Sequence, residues 1–215
     1  MPPRLPYLSS VLRALNANTF DDKQYTIVGL SYRGFWKSKG KPSQGGIELD
    51  VEAALNWVLD RYDPSTNIVI WGQSIGAGAA SVGLANLLNR RHPDAQDRVA
   101  GLLLETPFVD LKTMLVALYP QKFLPYRYLA PFLLSTWDSK SALEEIGKAD
   151  TRLRVLIVEA GDDEIVPSGQ GAILEGVCKE QGMDVDRASV PGALHTEVMT
   201  KARGRSHIVR FLGSF

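Results

Sequence analysis

The chain has 215 residues, carries 24 Lys+Arg against 24 Asp+Glu, and is 45% hydrophobic and 22% charged. That is the length of one domain, with apolar residues enough for one sizeable core and a composition unlike that of a disordered chain. The charge balance and the lack of any long Lys/Arg run advertise no nucleic-acid face. The lone Cys178 excludes an internal disulfide framework and a cysteine-based metal site, and no apolar run approaches the roughly 18 residues of a membrane span.

The N-terminal Met1-Pro2-Pro3-Arg4 has no long apolar stretch behind it, so it does not read as a secretory signal. A helix is predicted at once, because Tyr7, Leu8, Val11, Leu12 and Leu15 recur at helical spacing. Residues 24–31 (QYTIVGLS) form a short apolar run and read as a buried strand. Residues 33–46 are rich in Gly, Lys and Ser and read as a loop. Residues 47–59 read as a helix with Leu49, Ala53, Ala54, Trp57 and Val58 on its apolar face. After a turn at Asp63-Pro64-Ser65 come a second strand at 67–72 and an Ala/Gly/Leu-rich helix at 74–88. A third strand is expected at Val99–Glu105, a fourth at Arg154–Ala160 and a fifth at Asp184–Val190. A helix is expected at 170–181, and an amphipathic one closes the chain at 201–215.

Strands that are near-continuous apolar runs, alternating with helices, predict an α/β fold. Its sheet is mainly parallel, of about five strands, covered by helices on both faces. Residues 110–141 break the alternation. They are rich in Tyr, Phe, Leu and Pro and read as a cap inserted over a site, because loops of such length without function are uncommon.

One motif carries chemistry. Gly72-Gln73-Ser74-Ile75-Gly76 has the form Gly-x-Ser-x-Gly and lies between a predicted strand and a predicted helix, the context of a nucleophile elbow. The turn is so sharp that Ser74 must take a strained backbone, and Gly72 and Gly76 let strand and helix crowd together. The Ile75 N–H then lies at a helix N-terminus, where donors are free and negative charge is favoured. The blander alternative is a serine N-cap on a Gly-rich helix. A serine nucleophile needs a base, and the base needs an acid. His195 follows the last predicted strand in a loop and is the expected base. His207 lies in the closing helix, and His92 comes too early in the chain. For the acid, Asp162, Asp163 and Glu164 all follow the fourth strand, Asp110 follows the third, and position alone does not choose among them. Cys178, on a helix, reads as a structural thiol.

These pieces together resemble the Bem46-like, ABHD13-type branch of the α/β-hydrolase superfamily. The matching blocks are Tyr32-Arg33-Gly34, PSQGGIELD at 42–50, the Gly72 to Gly76 motif, Leu104-Glu105-Thr106-Pro107-Phe108, Trp137-Asp138-Ser139, Asp163-Glu164-Ile165-Val166-Pro167 and the Gly192 to His195 loop. The resemblance implies one α/β-hydrolase domain over 1–215 with its cap at 110–141. It implies a serine hydrolase acting on a carboxylic ester or thioester without metal or organic cofactor. It selects Asp163 as the acid, because the family's acid precedes a short apolar pair and a proline. Members also carry an earlier strand ending in a His-Gly turn that gives a second oxyanion donor. That strand and turn are not in this sequence, so the domain is expected to be N-terminally incomplete and Ile75 to be the sole oxyanion donor. Membrane association is then expected only through an upstream segment. The aromatic cap residues Phe123, Tyr126, Tyr128, Phe132 and Trp137 fit an acyl or lipid-like small-molecule substrate, or else simple core filling. A non-catalytic binding protein on the same scaffold is the alternative reading.

Overall fold

The computed structural model of the protein describes residues 4–17, 23–90, 95–118 and 135–215. The elements in chain order are α1 (Leu5–Ala17), α2 (Gln44–Arg61), β1 (Ile68–Gln73), α3 (Ile75–Asn89), the short α4 (Ala95–Arg98) and β2 (Val99–Glu105). They continue with α5 (Leu111–Leu118), α6 (Ser139–Ala149), β3 (Arg154–Ala160), α7 (Gln170–Glu180), β4 (Asp184–Val190), a 3₁₀ turn (Val198–Thr200) and α8 (Ala202–Leu212).

The four strands form one parallel sheet in the order β1-β2-β3-β4. Its register sets Gln73 opposite Glu105 and Glu105 opposite Val158, so the carboxyl ends of β1, β2 and β3 lie side by side. Alternate side chains of a strand point to opposite faces, and both faces here are covered. Leu102, Leu104, Val155 and Ile157 pack into a core shared with α2, α3, α6 and α7. Leu103, Leu156 and Val158 pack on the other side with Val11 and Leu15 of α1 and Ile208 and Phe211 of α8. That two-sided burial is why VAGLLLE and RVLIVEA read as unbroken apolar runs.

The sheet has four strands where five were expected. The difference is residues 24–31, which form no strand and lie outside the sheet, with Ile27 and Val28 exposed. A strand is held by its neighbour's hydrogen bonds, and among the described residues none pairs with this segment. The segment is tied down instead at its end, where Leu30 and Tyr32 pack on the α2–α3 core. The face expected for α2 is also corrected. Leu49 and Trp57 are exposed, and the buried stripe is Ile47, Val51, Leu55 and Leu59. Both stripes fit a helical period. Packing chose between them: Val51 lies against Gly83 of α3 so closely that a methyl group there would meet it at 2.4 Å.

Of the expected cap at 110–141, residues 119–134 lie outside the described residues, and Phe123, Tyr126, Tyr128 and Phe132 fall among them. Its flanks are the helix α5, capped by Asp110, and the segment leading into α6. Trp137 is buried against Gly78 of α3 with φ 42°, so this aromatic fills core.

Candidate active site

Ser74 stands between the last residue of β1 and the first of α3, with φ 54° and ψ −121°. A non-glycine residue at positive φ is strained and persists only where its surroundings hold it. Here its N–H donates to the Glu105 carbonyl at 2.9 Å, and its own carbonyl accepts from Ala77 and Gly78 at 2.8 and 3.3 Å. Gly72 is what lets the helix begin so close to the strand: a Cβ there would lie 2.1 Å from the Gly76 carbonyl oxygen. Gly76 does not meet the same need. A Cβ on it would find only the Tyr32 hydroxyl, at 3.7 Å. The Ser74 hydroxyl makes no helix cap, so it does not serve the N-cap role that was its alternative. The Ile75 N–H precedes the first intrahelical bonds, which begin at Ala77, and is therefore one of the unpaired donors of a helix start.

Asp163 and His195 come together at the same carboxyl end of the sheet, in the loops after β3 and β4. The Asp163 carboxylate lies 2.9 and 3.0 Å from His195 Nδ1. It also accepts N–H bonds from Ile165 at 2.9 Å and Val166 at 2.7 Å, which fix its orientation. Facing a carboxylate, Nδ1 is the ring nitrogen that carries the proton, and in the neutral imidazole that leaves the lone pair on Nε2. His195 is buried, and the two loops are laced together. Gly161 N–H donates to Val190 O at 2.8 Å, Asp162 N–H to Ala193 O at 3.0 Å, and His195 N–H to Glu164 Oε2 at 2.9 Å. No hydrogen bond joins Ser74 to His195 in this geometry.

The structure separates the acids that position left open. Asp162 is exposed. Glu164 holds the main chain of the base and not its ring. Asp110 caps α5 by accepting from Thr113. Only Asp163 meets the imidazole. His207 is half-buried in α8, with its pKa lowered first by burial and then by Arg210 and Arg203; His92 lies outside the described residues. Cys178 is fully buried, which pushes its thiol up to about 12 and removes it from nucleophilic chemistry at neutral pH. Among the described residues there is no group of three or more His, Cys, Asp or Glu placed to hold a metal ion, and no helix is long and apolar enough to cross a membrane.

Two features escaped the sequence. Glu164 was one of three acids in a row, and nothing in spacing marks which one holds a main chain. Glu105 ends an apolar strand and is nonetheless fully buried; a charge closing a strand buried on both faces was the signal available. Around the site, Gln44 at the start of α2 accepts from the Thr136 and Trp137 N–H groups, and Arg33 pairs with Asp50 on α2 at 2.8 Å. Tyr32 packs beside them, its pKa raised by burial and then by the Asp50 charge.

A four-stranded parallel sheet with a strained serine after β1, an acid after β3 and a histidine after β4 is the plan of an α/β-hydrolase. The family model described as the alpha/beta hydrolase fold matches residues 9–132, and the chain belongs to that family. Within it the similarity is to the Bem46-like branch. The chain is 34% identical over 179 residues to Protein bem46 of Schizosaccharomyces pombe, covering 83% of this chain and 52% of that one. It is 33% identical over 149 residues to Lysophosphatidylserine lipase ABHD12 of Danio rerio, covering 66% of this chain and 37% of that one. The chain thus spans about half or less of the length of these two relatives. Among solved structures, an alpha-beta hydrolase from Vibrio vulnificus shares the fold with TM-score 0.64 at 20% identity, over 85% of this chain and 61% of that one. The Pyrococcus furiosus esterase Pf2001 shares it with TM-score 0.63 at 17% identity, over 98% and 74%.

Proposed function

We propose that this domain is a serine hydrolase of carboxylic esters or thioesters, with Ser74 as nucleophile, His195 as base and Asp163 as the acid that orients it. The observation that carries the reading is the hydrogen-bonded pair of Asp163 and the buried His195, at the same carboxyl end of the sheet as a serine held at φ 54° by the turn into α3. Nucleophile–base bonds of this kind are often long and close only when substrate binds.

In the proposed cycle, Ser74 Oγ attacks the acyl carbonyl while its proton passes to His195 Nε2. The Asp163 carboxylate stabilises the imidazolium, and the Ile75 N–H donates to the oxyanion. The intermediate collapses, and the alkoxide or thiolate leaves with the proton from Nε2, forming an acyl-Ser74. Water then attacks the acyl carbonyl, giving its proton to Nε2. The second collapse returns that proton to Ser74 Oγ and releases the carboxylic acid. Every step uses side chains and a main-chain donor, so no cofactor is invoked.

Residues 1–215 are taken as one hydrolase domain, with the 110–141 insertion over the site. Acyl or lipid-like esters are the proposed substrate class, supported by the relatives named as lipase and esterase. The test is labelling of the purified protein with a fluorophosphonate probe. Labelling of the wild type that vanishes in Ser74→Ala is expected. A folded wild type that takes no label favours the binding-protein alternative.

A further inference from the structure

The side chain of Glu105 is fully buried at the end of β2, and no step above uses it. Each oxygen of its carboxylate is engaged. Oε2 accepts from Arg4 Nη2 at 2.6 Å and from Trp71 Nε1 at 3.1 Å, and Oε1 accepts from Gln73 Nε2 at 3.2 Å. Its main-chain carbonyl accepts from Ser74 N–H at 2.9 Å. One residue therefore holds three positions of Trp71-Gly72-Gln73-Ser74: two by side chain and the nucleophile by main chain.

Arg4 extends the network to the base. The guanidinium lies 5.8 Å from the centre of the Trp71 ring, and Nη2 also contacts Met199 Sδ at 3.5 Å. Met199 sits in the 3₁₀ turn four residues after His195 and is buried. Two strained residues flank the carboxylate: Ser74 at φ 54° and Thr106 at φ 46°. Strain of this kind endures only where neighbours over-determine it. A buried carboxylate needs a cation and aligned donors to offset its lost hydration, and here those donors come from the nucleophile turn itself.

We infer that Glu105, with Arg4, is a positioning residue of the hydrolase: the pair locks the Ser74 turn onto β2 and ties it to the chain that follows His195. The inference rests on the serine-hydrolase reading. Removing the pair leaves Ser74 and His195 in place but loosens the geometry between them, so it lowers the rate of acyl transfer and not the affinity for substrate. Misplacement of reacting groups by about 1 Å costs on the order of 100-fold.

The experiment measures p-nitrophenyl acetate turnover and fluorophosphonate labelling rates on the full chain, with thermal midpoints alongside. Glu105→Gln keeps the shape and removes the charge. Arg4→Met removes the cation, and Arg4→Lys restores it. Arg152→Met is the control: Arg152 pairs at 3.0 Å with the buried Asp150 just before β3, at the opposite end of the sheet. The expected result is kcat lower by about 10- to 100-fold in Glu105→Gln and Arg4→Met, with KM within about twofold. Arg4→Lys recovers most of the loss, and Arg152→Met lowers the midpoint alone. If Glu105→Gln does not fold, the Arg4→Met and Arg4→Lys pair carries the comparison. Wild-type kcat in the folded Glu105 and Arg4 variants overturns the positioning role. So does an equal loss of turnover in Arg152→Met at a matching fall in midpoint. A wild type that neither turns over nor labels overturns the hydrolase reading, and this inference with it.

Discussion

The two edges of the sheet are built differently. β4 reads DVDRASV, and its outer positions carry Asp184, Asp186 and Arg187 in solvent. Charges of that kind blunt an edge against further pairing. β1 reads IVIWGQ, has no such charge, and lies at the other edge. The candidate site divides the same way. On the β3–β4 side, Asp163 and His195 are bound by a dense set of bonds between their own two loops. On the β1 side, Ser74 relies on Gly72, on Glu105 of the next strand and, through Arg4, on a helix far back in the chain. The Asp163–His195 half is local and self-contained; the Ser74 half is assembled from distant parts.

The sharpest way to break that comparison is Asp163→Asn. The variant keeps the shape but allows the wrong imidazole tautomer, so kcat/KM should fall by about 10⁴-fold with folding intact. A fall of less than tenfold in ester turnover would remove Asp163 from the acid role. Next in size is a pair in the sheet. Leu103→Ala empties a fully buried site between β2 and the α1–α8 layer and should cost about 2–5 kcal/mol by chemical denaturation. Ile27→Ser, in the exposed segment 24–31, should stay within about 0.5 kcal/mol. A loss near that of Leu103→Ala would place residues 24–31 in a sheet after all.

The two elbow glycines give a smaller and opposite pair. Gly72→Ala drives a methyl group into the Gly76 carbonyl and should cost about 3 kcal/mol. Gly76→Ala has room, and a helical alanine gains up to about 1 kcal/mol over glycine, so its midpoint should hold or rise in calorimetry. The smallest effect is electrostatic. Arg33 hydrogen bonding holds Asp50 below its ordinary 3.8. A carboxylate with a lowered pKa adds stability that is complete above the unfolded value and lost as pH falls through the folded one. Wild type should therefore exceed Asp50→Asn by about 1 kcal/mol or less near neutrality, with the gap closing below about pH 4 in acid titrations. A gap that widens on acidification would reverse the assignment.

Much of the fold was legible because it rests on short-range signals. Four strands lie where they were expected, and α1, α2, α3, α7 and α8 start and stop within a few residues of their expected spans, whereas α4, α5 and α6 were not foreseen. The Gly-x-Ser-x-Gly motif placed Ser74 at a strand-to-helix turn by local chemistry alone. What stayed hidden depends on partners distant in sequence. Residues 24–31 have a strand's composition, but strand formation needs a neighbour's hydrogen bonds. The helix α2 offered two apolar stripes, and only the approach of Gly83 to Val51 chose the buried one. Trp137 could have lined a pocket or filled core, and only its packing against Gly78 showed that it fills core.

By itself, then, the sequence determined the order of β1 to β4 and of the five helices its periodicity marked, the serine turn and the identity of a histidine after the last strand. Each of these depends on periodicity, glycine placement or chain order. Tertiary structure alone decided that Glu164, next to the Asp163 that the resemblance selected, holds the His195 main chain, and that a buried Glu105 joins Arg4, the residue before α1, to the turn at Ser74. Those assignments turn on ångström-scale distances between segments 30 to 100 residues apart, which local propensity does not encode.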